Sequence, residues 1–252
     1  MTKVVILGAG NVAFHLFRAF QHTKEIDVVQ VYNHRPEKLS DFTETNTTTS
    51  LSELKKAQIY IFSLKDDAIA EVAKKLKDSR SLYLHTSGGL PITVLSKFEN
   101  FGVFYPLQTF STKRKVEFRK IPLCLESSSE ENLQELKKLG ASISENLYEI
   151  NSEQRRALHA AAVFVNNFTN HLYHLGAEIC EKNQVPFNIL QPLIAETAAK
   201  IKELSPEQAQ TGPALRNDKK TIQTHLKLLN QDQTEVYKLL TQSITKLHGK
   251  EL

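Results

Sequence analysis

The 252-residue chain has little cysteine: Cys124 and Cys180 are the only two, and they lie far apart. Two such thiols offer neither a disulfide framework nor metal-ligand spacing. Each sits in an apolar pattern and reads as a buried thiol in a reducing, cytoplasmic setting. Long hydrophobic runs are missing as well, since nothing approaches the roughly 20 apolar residues that span a bilayer. The chain enters a strand-like run at once, without the apolar core of a signal peptide, so a cytoplasmic protein with no membrane contact is expected. The net charge of +4 is mild, well short of the basic bias of a nucleic-acid binder, and no nucleic-acid partner is expected. The nine histidines form no H-E-x-x-H arrangement, and His171 and His174 lack further ligands, so no metal is expected. A G-x-S-x-G nucleophile elbow is also absent. The basic cluster Lys113-Arg114-Lys115, with Arg119 and Lys120, could meet an anionic ligand, but by itself it reads as a solvated loop.

What the chain does have is a strand, a glycine turn and a helix at its start. Val4 to Leu7 is a continuous apolar run suited to a central parallel strand. Gly8-Ala9-Gly10-Asn11-Val12-Ala13 then forms a G-x-G-x-x-A turn. Gly8 permits the tight bend, Gly10 lets the backbone approach a diphosphate, and Ala13 lets the helix pack on the strand. The N–H groups at the helix start, around Asn11 and Val12, face the phosphates with the positive end of the helix dipole. A glycine turn alone is a weak signal. Here Phe14, Leu16, Phe17 and Phe20 supply an apolar helix face, and a second strand follows at Asp27 to Tyr32, which is the context a dinucleotide site requires. A Rossmann fold that has lost its cofactor is the alternative. The second strand ends in Asn33-His34-Arg35-Pro36, with no acid to accept hydrogen bonds from the adenosine ribose. An arginine pairs with a 2′-phosphate that a carboxylate would repel, so Asn33, His34 and Arg35 favour NADP over NAD. Arg35 as a plain solvated residue is the competing reading.

The first 150 residues alternate between strand-like and helix-like segments. Strands are expected near 58–63, 81–85, 103–105, 120–125 and 142–145, and helices near 51, 67–76, 92–98 and 130–139. Thr43 to Ser50 reads as a polar connection. This alternation implies an α/β domain with a doubly wound, mostly parallel sheet over 1–150. From 151 to 252 the pattern is helical. Leu158, Ala162, Val165, Phe168, Leu172, Leu175 and Ile179 recur at steps of three or four, predicting one long amphipathic helix. A second helix follows Val185-Pro186, and a last one runs from about Gln231 to the end. Between them Thr211 to Asp218 is a loop rich in turn formers. The expected plan is a Rossmann domain followed by an all-α domain.

Several segments spread along the chain carry a family likeness. They are Leu84-His85-Thr86-Ser87-Gly88-Gly89, Tyr105-Pro106-Leu107-Gln108-Thr109-Phe110, His159-Ala160-Ala161-Ala162, Asn166-Asn167-Phe168-Thr169-Asn170-His171 and Thr211-Gly212-Pro213. With them the sequence resembles the Rossmann-like and DUF2520 domain proteins, often labelled NADP oxidoreductases. These fall in the 6-phosphogluconate dehydrogenase-like superfamily, beside β-hydroxyacid dehydrogenases, pyrroline-5-carboxylate reductase and F420-dependent NADP reductases. The resemblance implies fold and cofactor more than reaction. It places Ser63, Leu64 and Lys65 under the cofactor's ribose and nicotinamide, with His85 nearby at the end of the next strand. It also implies that Ser87 and the following glycine N–H groups hold a substrate oxygen, where a plain turn is the alternative.

In β-hydroxyacid dehydrogenases the long helix carries a Lys-x-x-x-Asn pattern whose lysine serves the substrate oxygen. Aligning that asparagine with Asn167 puts Val163 at the lysine position, and an apolar side chain moves no proton. His159, one turn earlier, is the candidate to replace it, because imidazole suits acid–base work near neutrality. Residues 159, 163, 166 and 170 share one face of a regular helix. A structural histidine and interhelical asparagine hydrogen bonds are the alternatives. Arg216 could bind an anionic substrate group or simply face water.

The expected function is therefore an NADP-dependent oxidoreductase acting on a small carbonyl, imine or hydroxyacid-type substrate in a cleft between the domains. His159 would handle the proton, with Asn167 and Ser87 orienting the substrate. The alternative is an NADP(H)-binding sensor without turnover. Two long helices carry more apolar surface than one small helical domain buries, which points to a homodimer through that domain.

Overall fold

The computed structural model describes residues 1–77 and 80–249. Eight strands form one sheet: β1 (Thr2–Leu7), β2 (Ile26–Tyr32), β3 (Asn46–Thr48), β4 (Ile59–Phe62), β5 (Leu82–His85), β6 (Asn100–Pro106), β7 (Leu123–Ser127) and β8 (Leu147–Glu149). Their spatial order is β3-β2-β1-β4-β5-β6-β7-β8. Every neighbouring pair is parallel except β6 and β7. Between β1 and β4 the winding reverses, which opens a ligand crevice beyond the carboxyl ends of those strands.

The apolar run at β1 is central because both faces are covered. Val4 and Ile6 pack with Phe17 and Phe20 of α1 (Asn11–Gln21) on one side. Val5 and Leu7 pack with Phe62, Tyr83 and Phe98 on the other. All four β1 residues are fully buried, as expected for a strand covered by helices and loops on both faces. The helices α2 (Asp66–Lys75) and α3 (Glu130–Ala141) complete the α/β unit.

Two local expectations change. The polar connection after β2 contains β3, an edge strand held by β2 alone; its Asn and Thr residues carry no apolar alternation to announce it. The last strand falls at Leu147–Glu149, not 142–145, because Ser142 caps the end of α3 and Ile143 and Ser144 turn back on Gly140.

The expected long helix is interrupted. It runs as α4 (Ser152–Ala162), a π-helical stretch at Val163–Phe168, and α5 (Thr169–Lys182). A capping box starts α4, with Asn151 and Gln154 exchanging side-chain and backbone hydrogen bonds. The π winding at 163–168 interrupts the regular α periodicity that a shared face for residues 159, 163, 166 and 170 requires. The chain forms two compact units, Met1–Asn166 and Asn167–Leu252, and their boundary falls within this stretch.

The second unit holds α5, α6 (Gln191–Lys200), the short α7 (Pro206–Ala209) and α8 (Pro213–Arg216), α9 (Lys219–Leu226) and α10 (Gln231–Leu247). The helix expected to reach the end of the chain is α10; residues 250–252 lie outside the described part. A mostly parallel α/β sheet followed by helices is the architecture the sequence predicts. No helix among the described residues is long and apolar enough to cross a membrane.

Candidate cofactor and substrate site

The glycine turn is built by close backbone contact. Gly8 has φ +123°, and a Cβ there would lie 2.0 Å from the Ser63 carbonyl oxygen at the end of β4. Only glycine fits a left-handed backbone pressed against another main chain. Gly10 differs: a Cβ there would meet no protein atom within 4 Å. The space before it is open. Gly10 caps α1 without a side-chain hydrogen bond, and no acidic residue occupies the first turn. The helix therefore presents uncapped N–H donors and a positive dipole end to that space. Asn11 turns away from it, its Nδ2 donating to the Phe110 carbonyl at 2.8 Å, and Val12 packs on the core.

At the end of β2, Asn33 Oδ1 accepts from the Arg35 backbone N–H at 2.9 Å, holding the bend. His34 and Arg35 are exposed, and no ion pair among the described residues holds Arg35. Ser63 is buried with its N–H on the Leu7 carbonyl at 2.8 Å, Leu64 packs over Gly8, and Lys65 is exposed at the start of α2. These residues come together around the carboxyl ends of β1, β2 and β4. Open space at Gly10, uncapped donors and an exposed guanidinium make a donor set that fits a dinucleotide with a 2′-phosphate.

A second cluster stands beyond β5 and β6. The ring of His159, on α4, shares a hydrogen bond between its Nδ1 and the Tyr105 hydroxyl at 3.0 Å, with the two rings edge to face. Burial pushes the Tyr105 phenol up to about 12, assisted by Cys124, while the Arg155 charge pulls the other way. The phenol thus stays protonated beside the ring. Gly88 makes room for this pair: a Cβ there would lie 2.7 Å from His159 Nδ1 and 2.8 Å from Tyr105 Cζ. Ser87 is buried, and its Oγ accepts from the N–H groups of Gly89 and Leu90 at 3.1 and 3.0 Å, so it closes the loop that positions Gly88.

Arg155, one turn before His159, is fully buried. It pairs with Glu126 of β7, and donates to the Leu90 carbonyl at 2.5 Å and to Ser152 Oγ at 3.3 Å. Ser152 in turn donates to Glu126 and accepts from the Ile92 N–H at 2.9 Å. The network fastens the loop after β5 to the start of α4. His85 lies beneath it with no exposed surface, its Nδ1 accepting from the Ser87 N–H at 3.2 Å and its Nε2 unpaired. Burial first, then the Arg155 charge, lowers the His85 ring to about 3, so it is neutral. No face of His85 is open to a ligand.

The structure thus brings His159 and Ser87 into one cluster within the first unit. Asn167 is exposed and belongs to the second unit. In the sequence Tyr105 is marked only by the segment Tyr105-Pro106-Leu107, and Arg155 and Glu126, 29 residues apart, form no local pattern. Among the described residues no group of three or more His, Cys, Asp or Glu side chains is placed to hold a metal.

Comparison with known proteins agrees with this layout. Residues 3–84 match the family described as "NADP oxidoreductase coenzyme F420-dependent", and residues 121–244 match "Domain of unknown function (DUF2520)". A candidate NADP oxidoreductase of Bacteroides fragilis, known from its crystal structure, is similar at 43% identity and TM-score 0.90, over 97% of this chain and 98% of that one. A Thermotoga maritima protein is similar at 21% identity and TM-score 0.79, over 98% and 100%. The 1-pyrroline-5-carboxylate reductase of Streptococcus pyogenes shares the fold at 15% identity and TM-score 0.65, over 98% of each chain. No curated protein sequence matches significantly.

Proposed function

The chain belongs to the family that joins an NADP oxidoreductase-type Rossmann domain to a DUF2520 domain, and from that premise we propose an NADP-dependent oxidoreductase acting on a small carbonyl, imine or hydroxyacid-type substrate. NADP, when bound, supplies the hydride chemistry. Gly8 and Gly10 admit its diphosphate, the first N–H groups of α1 hold it, and Arg35 takes the 2′-phosphate. The carrying observation is the Tyr105–His159 pair, seated on Gly88 beside the carboxyl ends of β5 and β6. Tyr105 holds the exposed His159 ring in place, and that ring is the group that gives or takes a proton at the substrate. The fold shared with a pyrroline-5-carboxylate reductase supports a cyclic or open imine among the first substrates to screen.

The test is NADPH and NADH titration, followed by a screen of carbonyls and imines for NADPH oxidation. NADPH is expected to bind at least roughly tenfold more tightly than NADH, with the preference lost in Arg35→Ala. With a substrate in hand, His159→Ala is expected to lower kcat at least about a hundredfold while leaving NADPH affinity unchanged. Unchanged turnover in that variant removes His159 from the mechanism. The second reading, an NADP(H) sensor, is favoured by Val163 at the lysine position; tight NADPH binding with no oxidation across the screen would select it.

The helical unit supports a homodimer. Apart from Ala214 and Ile222, no apolar residue described in it is buried, while Ile189, Leu193, Leu239 and Leu247 are more than 60% exposed. A surface this apolar is what a second copy covers. Light scattering is expected to give twice the chain mass, and Ile189→Asp with Leu193→Asp to shift it toward the monomer. A wild-type monomer at micromolar concentration would remove the proposal.

A further inference from the structure

Away from the glycine turn, the first unit contains a cavity of about 660 Å³ between α1, the loop at 112–119 and the residues just after α3. That volume suits a small molecule. Its apolar floor is formed by Phe14, Val116, Phe118 and Ile143. Phe118 is buried there and stacks on Phe110, with ring centroids 6.1 Å apart. The charged side chains lining the space have one sign. Arg18, Arg114, Lys115 and Arg119 line it beside His15 and His22, and among the described residues no carboxylate does.

Two of the rim cations are partly answered from outside: Arg18 reaches Glu44 at 3.4 Å, and Arg119 pairs with Glu145 at 2.9 Å. The acid within the loop, Glu117, is taken by Lys120 at 2.8 Å. Among the described residues, neither Arg114 nor Lys115 has an ion-pair partner. Part of the basic cluster that reads as a solvated loop in the sequence, Arg114, Lys115 and Arg119, thus lines an apolar hollow. Converging cations raise the potential in such a concave site and favour an anion there. Guanidinium and ammonium groups at the rim, aromatic and aliphatic carbons below, ask for an anionic head on an apolar body.

We infer that this cavity is a second ligand site, taking a small organic anion, an aryl or acyl carboxylate or phosphate, with its charge on Arg114 and Lys115 and its apolar body on Phe118 and Val116. The site shares no residue with the glycine turn or with the Tyr105–His159 cluster. It does not depend on the oxidoreductase reading.

Phenyl phosphate, benzoate, inorganic phosphate and benzamide are titrated into the full-length protein, followed by calorimetry and backbone-amide NMR. The two aryl anions are expected to bind saturably and to shift amides in 14–23 and 112–119. Inorganic phosphate lacks the apolar body and benzamide lacks the charge, and each is expected to bind at least roughly tenfold more weakly. An Arg114→Gln, Lys115→Gln double variant is expected to lose at least roughly tenfold in aryl-anion affinity, whereas Arg35→Ala leaves it unchanged. Both replaced residues are exposed loop positions without an ion pair among the described residues, so the double variant keeps its fold. Four outcomes would overturn the inference. They are no saturation by about 10 mM, an affinity indifferent to the double variant, inorganic phosphate binding as tightly as phenyl phosphate, and shifts confined to residues 8–12.

Discussion

Gly8→Ala is expected to destabilise the protein by about 3 kcal/mol or more and to abolish NADPH binding. Two independent costs fall on the same methyl group. The backbone at Gly8 has φ +123°, where an L side chain is strained, and the Ser63 carbonyl oxygen occupies the Cβ position to within 2.0 Å. Relief requires β1 and β4 to move apart at their carboxyl ends, which is where the crevice opens. Gly10→Ala separates stability from binding. No protein atom lies within 4 Å of a Cβ at Gly10, and its cost as a helix cap is expected to stay within about 1 kcal/mol. Its methyl would fill the space assigned to the diphosphate, so NADPH affinity is expected to fall at least roughly tenfold. Thermal unfolding and NADPH titration of both variants decide the matter. If Gly10→Ala binds NADPH like the wild type, the cofactor does not approach through that gap.

Both glycines were legible in the sequence because the turn is local: strand, glycines and helix lie within about 20 residues, and their chemistry follows from spacing. The parallel sheet was legible for the same reason, each strand being a short apolar run between helices. What escaped is what depends on distant packing. β3 has no apolar alternation, because an edge strand of Asn and Thr buries little. The π-helical stretch at Val163–Phe168 has the composition of an ordinary helix, and only the folded chain reveals its wider winding.

At Ser87-Gly88-Gly89 the motif was visible and its use was not. Ser87 closes its own turn, and Gly88 clears room for two rings that arrive from β6 and α4. His159 could be chosen from the sequence as an imidazole one turn before Val163, which stands at the family's lysine position. Its partner Tyr105 is 54 residues away and could not be. The basic cluster at 113–115 shows the same limit, since its meaning rests on the hollow beneath it.

Arg155→Met is expected to cost about 3–5 kcal/mol, the other large effect on stability. Methionine fills much of the arginine's volume, so a simple cavity contributes little. The loss comes from Glu126, whose side chain is 15% exposed and would keep its charge without the guanidinium. Its remaining partners, the N–H and hydroxyl of Ser152, do not neutralise it. Adding Glu126→Gln removes the stranded charge while keeping an acceptor for Ser152, and the double variant is expected to recover at least half of the loss. A single variant within about 1 kcal/mol of wild type in urea unfolding would show that the pair does not hold the loop. Acid sensitivity gives an independent reading through His85. An unfolded imidazole takes a proton near 6.5, whereas the folded ring resists protonation until about 3. Between those values the unfolded state binds the extra proton, so this contribution to stability is complete above 6.5 and drains away as pH falls toward 3. Burial is the larger cause of the lowered value and the Arg155 charge the smaller. Arg155→Met is therefore expected to make the His85 part of the acid slope shallower without removing it, whereas His85→Asn abolishes that part. If the slope is the same in all three proteins, the Arg155 charge is not felt at His85, and the link between the buried arginine and the loop carrying Ser87 and Gly88 is mechanical rather than electrostatic.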